Sequence, residues 1–207
     1  MARRILILFA HPVFERSLTN RALVEAAQAL DGVTVHDLYE TYPTMHISVA
    51  REKALLLAND VIVFQHPFYW YSAPPIVRQW QDLVLEYGWA YGKGGTALRG
   101  KLTLNAISTG GPAQAYEPQG HNRFTLRQFL APFDQTAHLC GMRFLAPFVV
   151  HGALRQETPE ELRANAAAYV ELLVALRDET LDIERAAAAP KLERDVSAYV
   201  SLTGSAP

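Results

Sequence analysis

Ile5-Leu6-Ile7-Leu8-Phe9-Ala10-His11-Pro12-Val13-Phe14-Glu15-Arg16-Ser17-Leu18-Thr19-Asn20 is the stretch whose reading decides the fold. From Ile5 to Ala10 no side chain is polar, the pattern of a strand buried on both faces. His11-Pro12 stops it. From Ser17 to Leu30 the apolar positions (Leu18, Leu23, Ala26, Ala27, Leu30) take helical spacing, and Asp31-Gly32 ends that run.

The same alternation recurs along the chain. Strands are expected at Val33–Leu38, Asp60–Gln65, Lys101–Ser108 and Arg143–Val150. Helices are expected at Val49–Ala58, at Ala73–Leu85 behind a proline-rich first turn, from Arg123 with a kink or break at Pro132, and from Pro159 to about Asp178. Five such strands separated by helices predict an α/β fold, a five-stranded parallel sheet with helices on both faces. Residues 1–178 are expected to form this domain, and 179–207 a partly helical tail. The tail can pack on the domain, reach a second subunit or stay loose, and its last five residues are expected to fray.

Composition narrows the class. The chain has 207 residues, 50% hydrophobic and 19% charged, with 12 Gly and 12 Pro, which excludes disorder, collagen and coiled coil. A net charge of -2 gives no strong global attraction to nucleic acid or anionic lipid. Cys140 alone permits neither an intramolecular disulfide nor a thiolate metal cluster, and reads as a packed small residue. The apolar run at Ile5 is too short for a membrane span or a secretory signal, so a cytoplasmic, soluble protein is expected, peripheral at an inner membrane only through a partner.

In an open parallel sheet, ligands bind beyond the carboxyl ends of the strands, where strand order reverses. Three loops leave such ends with unusual composition. His11–Asn20 leads into a helix N-terminus, whose N–H groups and dipole suit a phosphate. Ser17, Thr19 and Asn20 add hydroxyl and amide groups, and His11 charge or a donor; without a G-x-G-x-x-G run, a monophosphate fits better than a pyrophosphate. Plain N-capping by Ser17 is the competing reading. Gln65–Ser72 carries Phe68, Tyr69, Trp70 and Tyr71, either a flat wall for a planar ring or an aromatic core or interface cluster. Ser108-Thr109-Gly110-Gly111, followed by Tyr116 and His121, lets backbone N–H groups approach a ligand closely and meet negative charge that develops on a ring; the bland alternative is a glycine turn with a surface Tyr and His. A phosphate end, an aromatic wall and a donor-rich edge together match flavin mononucleotide, FMN.

These residues also carry a resemblance. Ile5–Asn20, Asp60–Asp82, Trp89–Gly95, Leu98–Lys101, Ser108–Gly111 and Phe133–Pro147 resemble the flavodoxin-like NAD(P)H:quinone oxidoreductase family, and within it the quinone-reductase-type ancillary subunits of glutathione-regulated potassium efflux systems. The likeness spans about residues 3–176. It implies that His11 and Ser17-Leu18-Thr19-Asn20 hold the phosphate and ribityl end of FMN (or of FAD in its place), that Pro67, Phe68, Tyr69 and Trp70 line the isoalloxazine, and that Ser108, Thr109, Gly110 and Gly111 meet its polar edge. The family's catalytic Tyr and His fall on Tyr116 and, with the loop one residue shorter, on His121. The resemblance further implies ping-pong hydride transfer from NAD(P)H to a quinone or related electrophile, a homodimer with sites near its interface, and a possible potassium efflux transporter as partner.

Other readings are a flavodoxin-type electron carrier, an azo or nitro reductase, and a flavin-binding regulatory subunit without catalysis. Gly95–Leu102 nearly spells a P-loop, but Leu102 stands where Ser or Thr must be and the run precedes a strand. No G-x-S-x-G or H-E-x-x-H occurs, and no metal site is expected. His66 and His151 read as structural hydrogen-bonders, His66 also as a site candidate beside the aromatic run; Tyr42 and His46 as pocket rim or dimer contact; Arg16 as a side chain that can approach the phosphate or, the favoured reading, sit in solvent.

Overall fold

The computed structural model describes residues 2–155 and 158–200. Strands β1 (Ile5–Phe9), β2 (Val33–Asp37), β3 (Val61–Pro67), β4 (Leu102–Thr109), β5 (Arg143–Phe144) and β6 (Phe148–His151) form one parallel sheet in the order β2-β1-β3-β4-β5, with β6 also paired to β4. The helices are α1 (Leu18–Gln28), α2 (Leu38–Thr41), α3 (Val49–Ala58), α4 (Pro75–Val84), α5 (Leu126–Phe129), α6 (Ala131–Leu139), α7 (Pro159–Arg177) and α8 (Ile183–Ala188). The last five residues, expected to fray, lie outside the described region.

Side chains alternate across a strand, and here both faces are covered. Ile5, Ile7 and Phe9 pack with Leu23 and Ala27 of α1 and Tyr169, Leu172 and Leu176 of α7. Leu6 and Leu8 face the opposite way, into a cluster with Leu56 of α3, Trp80 of α4 and Phe133 of α6. Beyond α7, Leu181, Ala186, Leu192 and Val196 extend the first cluster, so the described part of the tail, up to residue 200, packs on the sheet.

Two elements differ from the sequence reading. The fifth strand is not continuous: Thr103 pairs with Phe144, but Ala106 pairs with Phe148, so one extra residue is accommodated between them. Such a bulge inverts the side-chain phase: Phe144 joins one core cluster while Phe148 and Val150 join the other. Pro147 sits within it, lacking a ladder donor. The helix break falls at Leu130, not at Pro132, which occupies the first turn of α6, where its missing N–H costs nothing.

The loop after β2 holds a third surprise. Tyr42 is buried and donates to Glu52 Oε1, while His46 is exposed, and neither lines the main cavity. Glu52, fully buried on α3, also accepts from Trp80 Nε1 (2.8 Å) and lies 2.8 Å from His36 Nε2. Burial alone would raise its carboxyl, but the hydrogen bonds from His36, Tyr42 and Trp80 outweigh that and hold it below the ordinary value. The Tyr42 hydroxyl is in turn pushed up to about 12, by burial and then by this carboxylate. Glu52→Ala strands these donors and is expected to lower the unfolding free energy at pH 7 by about 3 kcal/mol in urea titrations. A carboxyl lowered in the folded state stabilises above its unfolded value, and that contribution is lost as pH falls through the folded value. The gap between wild type and variant should therefore narrow on acidification; a gap independent of pH would show that Glu52 does not act as a carboxylate.

Candidate functional site

The chain leaves β1 toward β2 and leaves β3 toward β4, on opposite sides, so the loops after β1 and β3 diverge and open a crevice. A cavity of about 960 Å³ occupies it, in the size range of small-molecule sites. The loops after β1, β3 and β4 meet there: His11, Ser17, Pro67, Phe68, Tyr69, Trp70, Ser108, Thr109, Gly110, Gly111, Tyr116 and His121 all line it. Leu18, Thr19 and Asn20 do not; Leu18 is exposed, while Thr19 and Asn20 are buried behind the wall.

Asn20 nonetheless ties two loops together. Its Nδ2 donates to Ser17 Oγ (3.0 Å) and to Ser108 Oγ (2.9 Å), and its backbone N–H donates to Ser17 Oγ (3.2 Å). Ser17 therefore caps α1, as the simpler reading held, and also lines the cavity. A hydroxyl has one proton and two lone pairs; having accepted from Asn20, both serines keep that proton for donation. His11 Nδ1 accepts from the Val13 N–H (3.2 Å), so the neutral ring carries its proton on Nε2. Burial lowers the His11 pKa, against the pull of Glu15, and favours that neutral form.

The aromatic run divides its labour. Phe68 is buried and meets Tyr116 and Phe129 edge-on. Tyr69 packs edge-on against His11. Trp70, at 92% exposure, and Tyr71 both have φ in the left-handed region (50° and 61°), an uncommon state for bulky residues and one that clusters at functional sites. His66, by contrast, is fully buried between the Pro67 carbonyl and Asn105, stacks on Phe133, and has its pKa pushed down to about 4 by burial; it is structural and does not line the cavity.

Tyr116 reaches the cavity from the loop after β4. Burial raises its hydroxyl pKa, partly countered by Thr109, Gly111 and Asn122 around it, so it stays protonated at neutral pH. His121 follows on the same loop. The residues alone do not single out Asn122, Ala153 and Leu154 of the cavity lining; Arg16, readable either as solvated or as a neighbour of the phosphate, is exposed and borders the cavity. Ala153 and Leu154 follow β6, a fourth strand end at the same edge of the sheet, and topology was the available signal for them.

The family described by a flavodoxin-like fold matches residues 3–173. The chain belongs to this family. It is 46% identical over 172 residues to the glutathione-regulated potassium-efflux system ancillary protein KefG of Pectobacterium carotovorum, covering 83% of this chain and 93% of the relative. It is also similar to the crystal structure of general stress protein 14 from Treponema denticola in complex with FMN (TM-score 0.78, 38% identity, 84% of this chain and 99% of that one). An NADPH-quinone reductase from P. pentosaceus gives a TM-score of 0.74 at 33% identity, covering 82% of this chain and 97% of the other. Residues 174–200 lie beyond the family match.

The Tyr116–His121 loop depends on Gly120. A Cβ there would stand 2.1 Å from the Gln114 carbonyl oxygen and 2.9 Å from the Ala115 backbone, neither of which can move as a side chain tip can. The turn is closed by Gly120 N–H to Glu117 O (2.9 Å) and Asn122 N–H to Ala115 O (3.0 Å). Gly120→Ala should speed hydrogen exchange at the Asn122 amide about tenfold while leaving β-sheet amides protected, since such overpacking costs about 1–3 kcal/mol locally. Unchanged exchange at Asn122 would mean the turn yields without cost.

Proposed function

We propose that the protein is an FMN-dependent NAD(P)H:quinone oxidoreductase, and the observation that carries this reading is the Asn20 amide holding the Ser17 and Ser108 hydroxyls in one cavity. The donor set suits FMN. Ser17 at the α1 N-terminus and the His11 Nε2–H offer donors to a phosphate and ribityl chain. Pro67, Phe68, Tyr69 and Trp70 border the space for a planar ring, and Ser108, Thr109, Gly110 and Gly111 offer polar groups to its edge. Leu18 and Thr19 contribute through the first turn of α1, and Asn20 by orienting its neighbours. When bound, FMN supplies two-electron hydride chemistry between NAD(P)H and a quinone or related electrophile, the two substrates taking turns at one site.

The chain's own residues shape that chemistry. Tyr116 holds a proton through the neutral range and donates a hydrogen bond where negative charge gathers, with His121 beside it in the cavity lining. The similarity to an FMN complex and to an NADPH-quinone reductase supports the cofactor and the oxidant class. Tyr69, Trp70, Tyr71, Phe124 and Leu154 are exposed at 43%, 92%, 48%, 46% and 84%. Four of them border the cavity, so a second copy of the chain covering its mouth is part of this reading.

The similarity to KefG favours a second role, docking on a potassium efflux transporter. None of the helices among the described residues is long and apolar enough to cross a membrane, so such an association runs through the partner. Co-purification with a transporter that survives Asn20→Ala would separate docking from flavin chemistry.

The catalytic test is direct. Titration with FMN should give a yellow protein at one flavin per chain; anaerobic NADPH or NADH should bleach it, and a quinone should restore the colour. Tyr116→Phe should retain the flavin and slow steady-state turnover about 100-fold, the lower end of typical proton-donor contributions. A chain that takes up FMN but is bleached by neither nucleotide would overturn the oxidoreductase reading.

A further inference from the structure

We propose that the segment beyond α7 controls the double-glycine turn of the site: Lys191 fixes the tautomer of His151, and His151, through Thr109, fixes the Gly110-Gly111 peptides. Both are positioning residues. The proposal rests on the reading that this turn meets the flavin edge.

The contact begins with backbone. Leu192 N–H donates to Pro147 O (2.8 Å) and Val149 N–H donates to Leu192 O (3.0 Å), pinning the segment alongside β6. This sets Lys191 Nζ 3.4 Å from His151 Nε2 and 2.9 Å from Glu193 Oε1. His151 Nδ1 lies 3.0 Å from Thr109 Oγ1, which lies 2.9 Å from the Gly111 carbonyl oxygen.

The lysine end gives this chain a direction. Glu193 Oε1 also faces Nε2, but at 3.6 Å it is beyond hydrogen-bonding distance and is engaged by Lys191; the ammonium group is within reach and only donates, so Nε2 of His151 accepts, and the neutral ring's one proton sits on Nδ1. Nδ1–H then donates to Thr109 Oγ1, and the threonine proton is left for Gly111 O. The arrangement needs a neutral imidazole, and burial, then the nearby Lys191 charge, push its pKa down to about 4 against the opposing pull of Glu193. Gly111 O also accepts from Gly152 N–H (3.1 Å), and Ala153 N–H donates to Thr109 O (2.9 Å), so the loop after β6 is tied to the turn. Thr109 further acts on the Tyr116 hydroxyl, and the Tyr116 ring lies 5.8 Å from the His151 ring. A reversed imidazole would set Nδ1 as an acceptor, turn the Thr109 proton away from Gly111, and leave the Gly111 carbonyl with the Gly152 N–H alone.

Lys191 lies outside residues 3–173, the span of the family match, so this control belongs to the added segment and not to the shared fold.

The test joins histidine nitrogen NMR on the flavin-free protein with FMN titration. Wild type should show a His151 ring with the proton on Nδ1 at pH 7, and Lys191→Met a mixture of tautomers. FMN affinity should fall about three- to tenfold in Lys191→Met and in His151→Leu, the range for losing one net hydrogen bond. His151→Asn, whose amide donates from the Nδ1 position, should bind within about twofold of wild type. A proton on Nε2 in wild type overturns the proposal whether or not flavin binds. So does a Lys191→Met protein with unchanged tautomer and affinity. A wild type with the proton on Nδ1 that refuses FMN upholds the Lys191–His151–Thr109 chain and overturns the proposed function instead.

Discussion

The structure depends on one constraint, that β1 has no face to give to water. All five of its side chains are buried, Ile5, Ile7 and Phe9 on one side, Leu6 and Leu8 on the other. A strand of this kind is stable only between two layers, so helices must return alternately above and below the sheet. The alternation forces strand order to reverse beside β1, and the reversal opens the crevice in which the polar residues collect.

The site is thus a product of topology before it is a product of chemistry. His11, Phe68 and Tyr116 are far apart in the chain and share only the property of following strands, β1, β3 and β4, that end at one edge. Burial then sharpens them: His11 is kept neutral, Tyr116 keeps its proton, and Asn20 is spent on orienting hydroxyls instead of lining the cavity. Asn20 is placed among its neighbours by hydrogen bonds at 2.9 and 3.0 Å that join the first and third loops.

Much of this was legible in the residues. Strands with continuous apolar runs were recognisable because nothing else in a chain of this charge could hold them, and the three loops stood out by composition. What escaped was set by contacts distant in sequence. Nothing near Phe144 announces the extra residue before Phe148, since both are apolar and only pairing with β4 reveals the change of phase. Tyr42 reads from its loop as pocket rim or dimer contact, because its acceptor, Glu52, comes from the next helix. His66 and His151 read alike as residues near strand ends; one is sealed against Phe133 and the other sits beside Thr109 and Tyr116. Leu154 belongs to a loop with no compositional signature.

The bulge between β5 and β6 has a consequence for association. Beyond it, β6 pairs with β4 on one side and is bridged by Leu192 through Phe148 on the other. An uncovered final strand would offer a row of unmatched amides and carbonyls to any passing chain, an invitation to open-ended polymerisation. With the strand shortened and its outer margin occupied, growth of a continuous ribbon from that side is blocked, and encounters between copies are diverted toward surfaces built of side chains.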